Sequence, residues 1–184
     1  MPTRLAILSD THLPRGGRTI PDDALERARR ADAILHAGDL VDSAVLSELR
    51  SLGPPVHAIH GNVDNAGVRA VLPGRLVVEF EGVRIGMVHE PGPARARLDR
   101  LRSWFPEADA VVFGHTHMPE HAERAGFQIF NPGSPTERRR APTHTMGEAV
   151  VTRGRVTFAV VAVGAGAAGS EALPGPPSGG RGRP

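Results

Sequence analysis

There is no cysteine in this chain, no lysine and no tyrosine, and a single tryptophan. Without cysteine there is no disulfide framework, no thiolate metal site and no thiol nucleophile. No apolar run approaches the roughly 20 residues that a membrane-crossing helix needs. The opening Met1-Pro2-Thr3-Arg4-Leu5 leads into a short apolar stretch without the hydrophobic segment and small-residue cleavage site of a secretion signal, so a cytoplasmic location is expected. The missing lysine and tyrosine also explain a misleading number. With almost nothing titrating between histidine and arginine, a formal charge of only +2 drives the sequence pI to about 10.7. The high pI is therefore no sign of a nucleic-acid-binding patch. Arg138-Arg139-Arg140 is the one basic run, as readily a solvated loop as a phosphate contact.

What is present fits one domain with a real core: 184 residues, of which 40% are hydrophobic. Thr3 to Leu8, Ala33 to His36 and Val56 to His60 read as buried strands, separated by helices from Pro21 to Arg30 and from Asp42 or Ser43 to Arg50. A β-α-β-α-β opening implies right-handed crossovers and a parallel sheet. Next come a hairpin (76–80 and 83–88), a helix (94–105), a buried strand (110–113) and two more hairpins (121–125 with 127–130, and 145–151 with 155–161). Two facing sheets with helices outside is the economical packing for that order, an α/β class of fold. Residues 1–163 are expected to form the domain. From Gly164 to Pro184 the composition falls to Gly, Ala, Pro and Ser, and a disordered tail is expected.

Four short clusters carry the chemistry: Asp10-Thr11-His12, Gly38-Asp39, Gly61-Asn62 followed by Asp64, and Gly114-His115-Thr116-His117. A lone His89 follows another strand. Each signal is weak by itself, since Gly-Asp is a common turn dipeptide and loop histidines are frequent. Together they place a carboxylate, amide or imidazole just past five separate strands, at the edge where open α/β sheets bind ligands. Asp10, His12, Asp39, Asn62, His89, His115 and His117 suit two divalent cations sharing a bridging carboxylate, with positions left for water and substrate. Mixed oxygen and imidazole donors point to hydrolysis rather than electron transfer.

The series Asp-X-His, Gly-Asp, Gly-Asn-X-Asp, His, Gly-His-X-His resembles the calcineurin-like metallophosphoesterases, in particular their small single-domain bacterial and archaeal phosphodiesterase branch. Asn131-Pro132-Gly133-Ser134 is also typical of that branch. The resemblance spans about residues 3 to 161. It implies a four-layer αββα sandwich and a phosphodiesterase in which a hydroxide bridging two metals attacks phosphorus in line. By position it makes Asp10, His12 and His117 ligands of one metal, Asn62, His89 and His115 ligands of the other, and Asp39 the bridge. Asp39, Asn62 and Asp64 are the catalytic candidates, with Asp64 expected to orient His12 or a metal-held water. Manganese is the expected metal, with iron, zinc or nickel as alternatives.

Two departures from the family pattern matter. Many larger members place a His after Gly-Asn, where this chain has Val63, which can donate no proton. Losing a general acid typically costs ~10²–10⁴ in rate, so activated aryl diesters are the expected better substrates. After His89 the chain has Glu90-Pro91, and Glu90 either faces solvent or points inward to repel anions. Arg15 and Arg138 are the candidate substrate contacts, with Arg18 beside them. Trp104 is expected to pack its helix end. His57, His121 and His144 have no cluster partners, whereas His36 and His60 sit near enough to hydrogen-bond a ligand. A small phosphodiester is the expected partner, a nucleic-acid end stays among the candidate substrates, no membrane is involved, and a homo-oligomer is left open. The alternatives are a phosphomonoesterase and a scaffold like the retromer subunit that shares this fold.

Overall fold

The computed structural model describes residues 1–164, so the tail expected past Gly164 lies outside the described residues. The first half runs β1 (Thr3–Leu8), α1 (Asp22–Arg29), β2 (Ala33–His36), α2 (Ser43–Ser51), β3 (Val56–Ala58), α3 (Ala66–Val71). It continues through β4 (Arg75–Phe80), β5 (Val83–Val88), α4 (Arg97–Trp104), β6 (Ala110–Phe113), β7 (Glu120–Arg124), β8 (Phe127–Asn131), β9 (Thr145–Thr152) and β10 (Arg155–Ala162). One five-stranded sheet has the order β10-β9-β1-β2-β3 and the other β4-β5-β6-β8-β7. The expected parallel β1-β2-β3 core is present, with β9 antiparallel to β1. In the second sheet β5, β6 and β8 are parallel.

Alternation along the strands builds the layers. In β1, Leu5 and Ile7 face a core shared with Ile85, Met87, Val112 and Phe130 of the other sheet. Ala6 and Leu8 face the opposite way, onto Ala24, Ala28, Val45, Leu46, Leu49 and Val68 from α1, α2 and α3. In β6 the same split sends Ala110 and Val112 to the central core and Val111 and Phe113 outward, to Leu101 and Phe105 at α4. A strand buried on both faces must lie between two layers. The result is helix, sheet, sheet, helix: the four-layer αββα sandwich. In its centre Phe130 stacks on Phe158, ring centroids 4.7 Å apart, above Gly147, where an added Cβ would lie 2.4 Å from the Phe130 ring.

Local signals explain most boundaries. Asp42 caps α2 by accepting from Ala44 N, and α1 carries Asp22 and Asp23 in its first turn and Arg27 and Arg29 in its last. Three elements differ from expectation. α3 was not foreseen: it is six residues long and buries only Val68, too little for a period, although Asn65 caps it through Val68 N. β3 stops at Ala58 because His60 N turns away to Pro73 O. α4 starts at Arg97 rather than Ala94 because Ala96 takes a left-handed φ of 54°. The carboxyl ends of β1, β2 and β3 in one sheet and of β5 and β6 in the other meet at a single end of the sandwich, where their loops hydrogen-bond to one another.

Candidate metal centre

The loops at that end are tightly wound. Asp10, His12, Asp39, His115 and His117 all have positive φ, between 49° and 69°. Non-glycine residues avoid this region, so such a concentration marks a site where the surroundings impose the backbone. The glycines of the motifs make room for it. A Cβ on Gly61 would lie 2.1 Å from Asp39 Oδ1, and one on Gly114 would lie 2.0 Å from Ser9 Oγ and 2.7 Å from Asp10 Oδ2. Neighbouring loops are stitched together: Asp10 N donates to Gly38 O, His12 N to Asp39 O and Gly114 N to His89 O.

Seven side chains converge. His117 Nε2 is 3.2 Å from Asp10 Oδ1, and His12 Nε2 is 3.7 Å from it. Asp39 Oδ2 lies between the two halves, 3.1 Å from His89 Nε2 and 3.5 Å from His12 Nε2. Asn62 Oδ1 is 3.1 Å from His89 Nε2 and 3.0 Å from His115 Nδ1. Asp10-His12-His117 and Asp10-Asp39-His89 are each spaced to hold an ion, and all five residues are buried. Asn62 is exposed and His115 half-buried, so the centre opens to solvent on their side.

Electrostatics favour a cation here. Burial by itself would raise the Asp10 carboxyl, but the His117 and His12 rings and the charge on His89 outweigh it and hold Asp10 far below its usual range. Asp39 also lies low: burial opposes this, and His89 and the Val63 amide prevail. His89 is raised despite its burial, by Asp39 and Asp10. Two rings have their orientation set from behind, His89 Nδ1 by Ala37 O at 2.8 Å and His117 Nδ1 by Glu137 O at 2.5 Å, while His12 Nδ1 lies 3.8 Å from the Glu137 carboxylate. In its neutral form with the proton on Nδ1, each of these rings turns an Nε2 lone pair toward carboxylate oxygens. His12 Nε2 and His117 Nε2 are buried without a hydrogen-bond partner. Facing lone pairs need a proton or a cation between them, so this donor set fits divalent ions.

A family model of the calcineurin-like phosphoesterase superfamily domain matches residues 3–154. The chain belongs to that superfamily. It is 36% identical over 138 residues to a probable metallophosphoesterase of Methanothermobacter thermautotrophicus, covering 73% of this chain and 78% of that protein. Over 144 residues it is 24% identical to a phosphodiesterase of Methanocaldococcus jannaschii, covering 71% of this chain and 82% of that one. Vacuolar protein sorting 29 of Cryptosporidium parvum has the same fold, with a TM-score of 0.78 at 20% identity, 90% of this chain and 93% of that one being covered. Superfamily membership makes the chain a metallophosphoesterase, and a divalent metal is typical of the family. Among the described residues no helix is long and apolar enough to cross a membrane.

Within this phosphoesterase, Asp64, Arg138, Arg15, Arg18, His36 and His60 have other partners than expected, while Glu90, Trp104, His57, His121 and His144 sit as expected. Asp64 has no hydrogen bond or ion pair with His12. Its oxygens instead accept from three backbone amides, Asp39 N at 3.1 Å, Val41 N at 2.5 Å and Gly61 N at 2.6 Å, so it ties two site loops together. Arg138 spends its guanidinium on Ala141 O and Pro142 O of its own loop, and Arg15 and Arg18 turn to Glu137. His36 bonds Thr11 Oγ1 and Gly38 N, and His60 bonds Gly61 O, so neither reaches a candidate ligand side chain. Glu90 is exposed, on the rim of a cleft of about 250 Å³ that also contains Asn62, Arg69, Arg75 and His89. Trp104 packs at its helix end, with Arg75 over its ring at 4.5 Å. His57, His121 and His144 lie in none of the ion-spaced groups.

Sequence reasoning missed the structural roles of four residues. Arg69 braces the Asn62 loop through Asn62 O and Asp64 O. Asn131 Nδ2 holds Gly114 O and Thr116 Oγ1. Ser134 Oγ and Thr136 Oγ1 hold Asp10 O and Thr11 O. The Asn-Pro-Gly-Ser motif was the available signal for Asn131 and Ser134, and Thr136 lies two residues past it. Arg69 lies in the unforeseen α3 and carried none.

Proposed function

We propose that this chain is a phosphodiesterase acting through a two-ion centre held by Asp10, His12, Asp39, Asn62, His89, His115 and His117. The observation that carries the proposal is the pair of buried, unpartnered imidazole nitrogens of His12 and His117 beside two ionised carboxylates. Divalent ions, when bound, supply charge neutralisation at phosphorus and an activated water at neutral pH. The oxygen and imidazole donors suit Mn²⁺ first, then Fe, Zn²⁺ or Ni²⁺.

The chain's own residues do the rest. Asp39, with Oδ2 between His12 and His89, would be the carboxylate shared by the two ions, and Val63 N pins its other oxygen at 3.0 Å. Asp10, His12 and His117 form the closed side of the centre. Asn62 and His115 form the open side, where a phosphoryl oxygen can approach. Val63 is 44% exposed at the position beside Asn62 and offers no proton to a leaving group. Diesters whose leaving group needs no proton are therefore the preferred class, by ~10²–10⁴ in rate over unactivated alkyl diesters. The name of the Methanocaldococcus relative supports a diesterase. A small diester and a nucleic-acid end both fit the open side, in a protein we place in the cytoplasm.

The scaffold reading draws on the likeness to Vps29, but a binding scaffold has no need for seven converging donors. The deciding experiment strips metal with chelator, adds Mn²⁺ and compares an aryl diester, the matching monoester and an alkyl diester. Restored turnover led by the aryl diester is expected. Preference for the monoester would make the chain a phosphomonoesterase, and no turnover with any divalent ion would favour the scaffold.

A further inference from the structure

Glu137 reaches the centre through the turn that follows β8. Its amide donates to Ser134 Oγ at 2.8 Å, and that hydroxyl donates to Asp10 O at 2.8 Å. The turn thus couples Glu137 directly to the Asp10 loop. From there it meets two imidazoles in two ways: its carbonyl oxygen takes His117 Nδ1 at 2.5 Å, and its carboxylate Oε2 lies 3.8 Å from His12 Nδ1. Oε2 is buried and has no hydrogen-bond partner. Three donors surround it at longer range, His12 Nδ1, Arg15 Nη1 at 3.8 Å and Arg18 Nη1 at 3.4 Å. A buried carboxylate oxygen without a bond is costly, so a small closure onto a donor is favoured.

We propose that Glu137 is the positioning residue for the Asp10-His12-His117 half of the centre, an inference that rests on the two-ion reading above. An imidazole whose Nε2 faces a cation presents its Nδ1 proton outward, and a carboxylate there fixes the ring and raises its basicity. Glu137 supplies that carboxylate to His12 and a main-chain acceptor to His117. Among the described residues the other half has nothing equivalent: His89 is backed by the neutral Ala37 carbonyl alone, and His115 Nδ1 faces Asn62. The half backed by Glu137 therefore binds its ion more tightly and fills first. Arg15 and Arg18 belong to this support, screening the carboxylate from water, rather than to the substrate.

Calorimetric titration of Mn²⁺ into the metal-free 184-residue chain tests this, with bound metal counted by elemental analysis. His117→Ala identifies the binding step of the Glu137-backed half, and His115→Ala the step of the other. Glu137→Gln is expected to weaken the first step about 10–100-fold and leave the second unchanged. Glu137→Asp, which keeps the charge, should recover more of the first step than Glu137→Gln does. Unchanged titration in Glu137→Gln, equal weakening of both steps, or equal loss in the Gln and Asp variants would each overturn the proposal. A wild-type chain that takes up no Mn²⁺ would remove the two-ion reading itself. Two normal wild-type steps with an unaffected Glu137→Gln would remove this inference alone.

Discussion

Single residues at this site are constrained more by space than by charge. Gly61 has no left-handed φ, yet a Cβ there would lie 2.1 Å from Asp39 Oδ1. Gly61→Ala should shift the Asp39 carboxylate, cost about 1–3 kcal/mol in stability by overpacking, and weaken Mn²⁺ binding. Chemical denaturation together with a Mn²⁺ titration would check it, and unchanged metal binding would argue against the steric account. His36 makes a different point. Burial lowers its pKa from 6.5 to about 4, so the folded protein keeps it neutral. An unfolded chain takes up that proton near pH 6.5, so this contribution is complete above 6.5 and is lost as the pH falls toward 4. The loss should be on the order of 3 kcal/mol. Comparing metal-free wild type with His36→Gln across that window isolates it, and a stability difference that does not vary with pH would contradict the assignment.

At the scale of elements, the end of β8 acts as a clamp. Asn131 Nδ2 bonds Gly114 O and Thr116 Oγ1 while its Oδ1 accepts from Gly133 N. β8, the neighbour of β6 in the sheet, thus holds the histidine loop that β6 leads into. Asn131→Ala takes the acceptor from the buried Gly133 amide and removes both bonds to the histidine loop, which costs about 1–3 kcal/mol. For a chain of this size that is a melting midpoint several degrees lower. Thermal unfolding of the metal-free protein would read it, and an unchanged midpoint would mean that water replaces the amide.

The whole molecule divides the site between its layers. Asp10, His12, Asp39 and Asn62 follow strands of one sheet, and His89, His115 and His117 follow strands of the other. An ion held as proposed would therefore cross-link the two sheets at their open end, and binding to the folded state alone stabilises by mass action. At about a hundredfold excess over Kd, Mn²⁺ should add roughly 2.7 kcal/mol per ion. Scanning calorimetry with and without Mn²⁺ would register this as a raised midpoint, and Asp39→Asn should blunt it. A midpoint that ignores Mn²⁺ in wild type would mean the two sheets share no ion.

Much of this was legible in the amino-acid order because its causes are local. Alternation in Leu5 to Leu8 and in Ala110 to Phe113 marks strands buried on both faces, and Gly-Asp, Gly-Asn and Gly-His mark turns where a donor follows a strand. The family pattern that these donors carry needs nothing more than spacing. Which carboxylate faces which ring was beyond local reach. His115 N meets Asp10 across 105 positions and Ser134 meets Asp10 O across 124, and only packing the two sheets together creates such contacts. That packing turned Asp64 into a tie for backbone amides, drew Arg15 and Arg18 to Glu137, and put Glu137 behind two histidines it never neighbours in the chain.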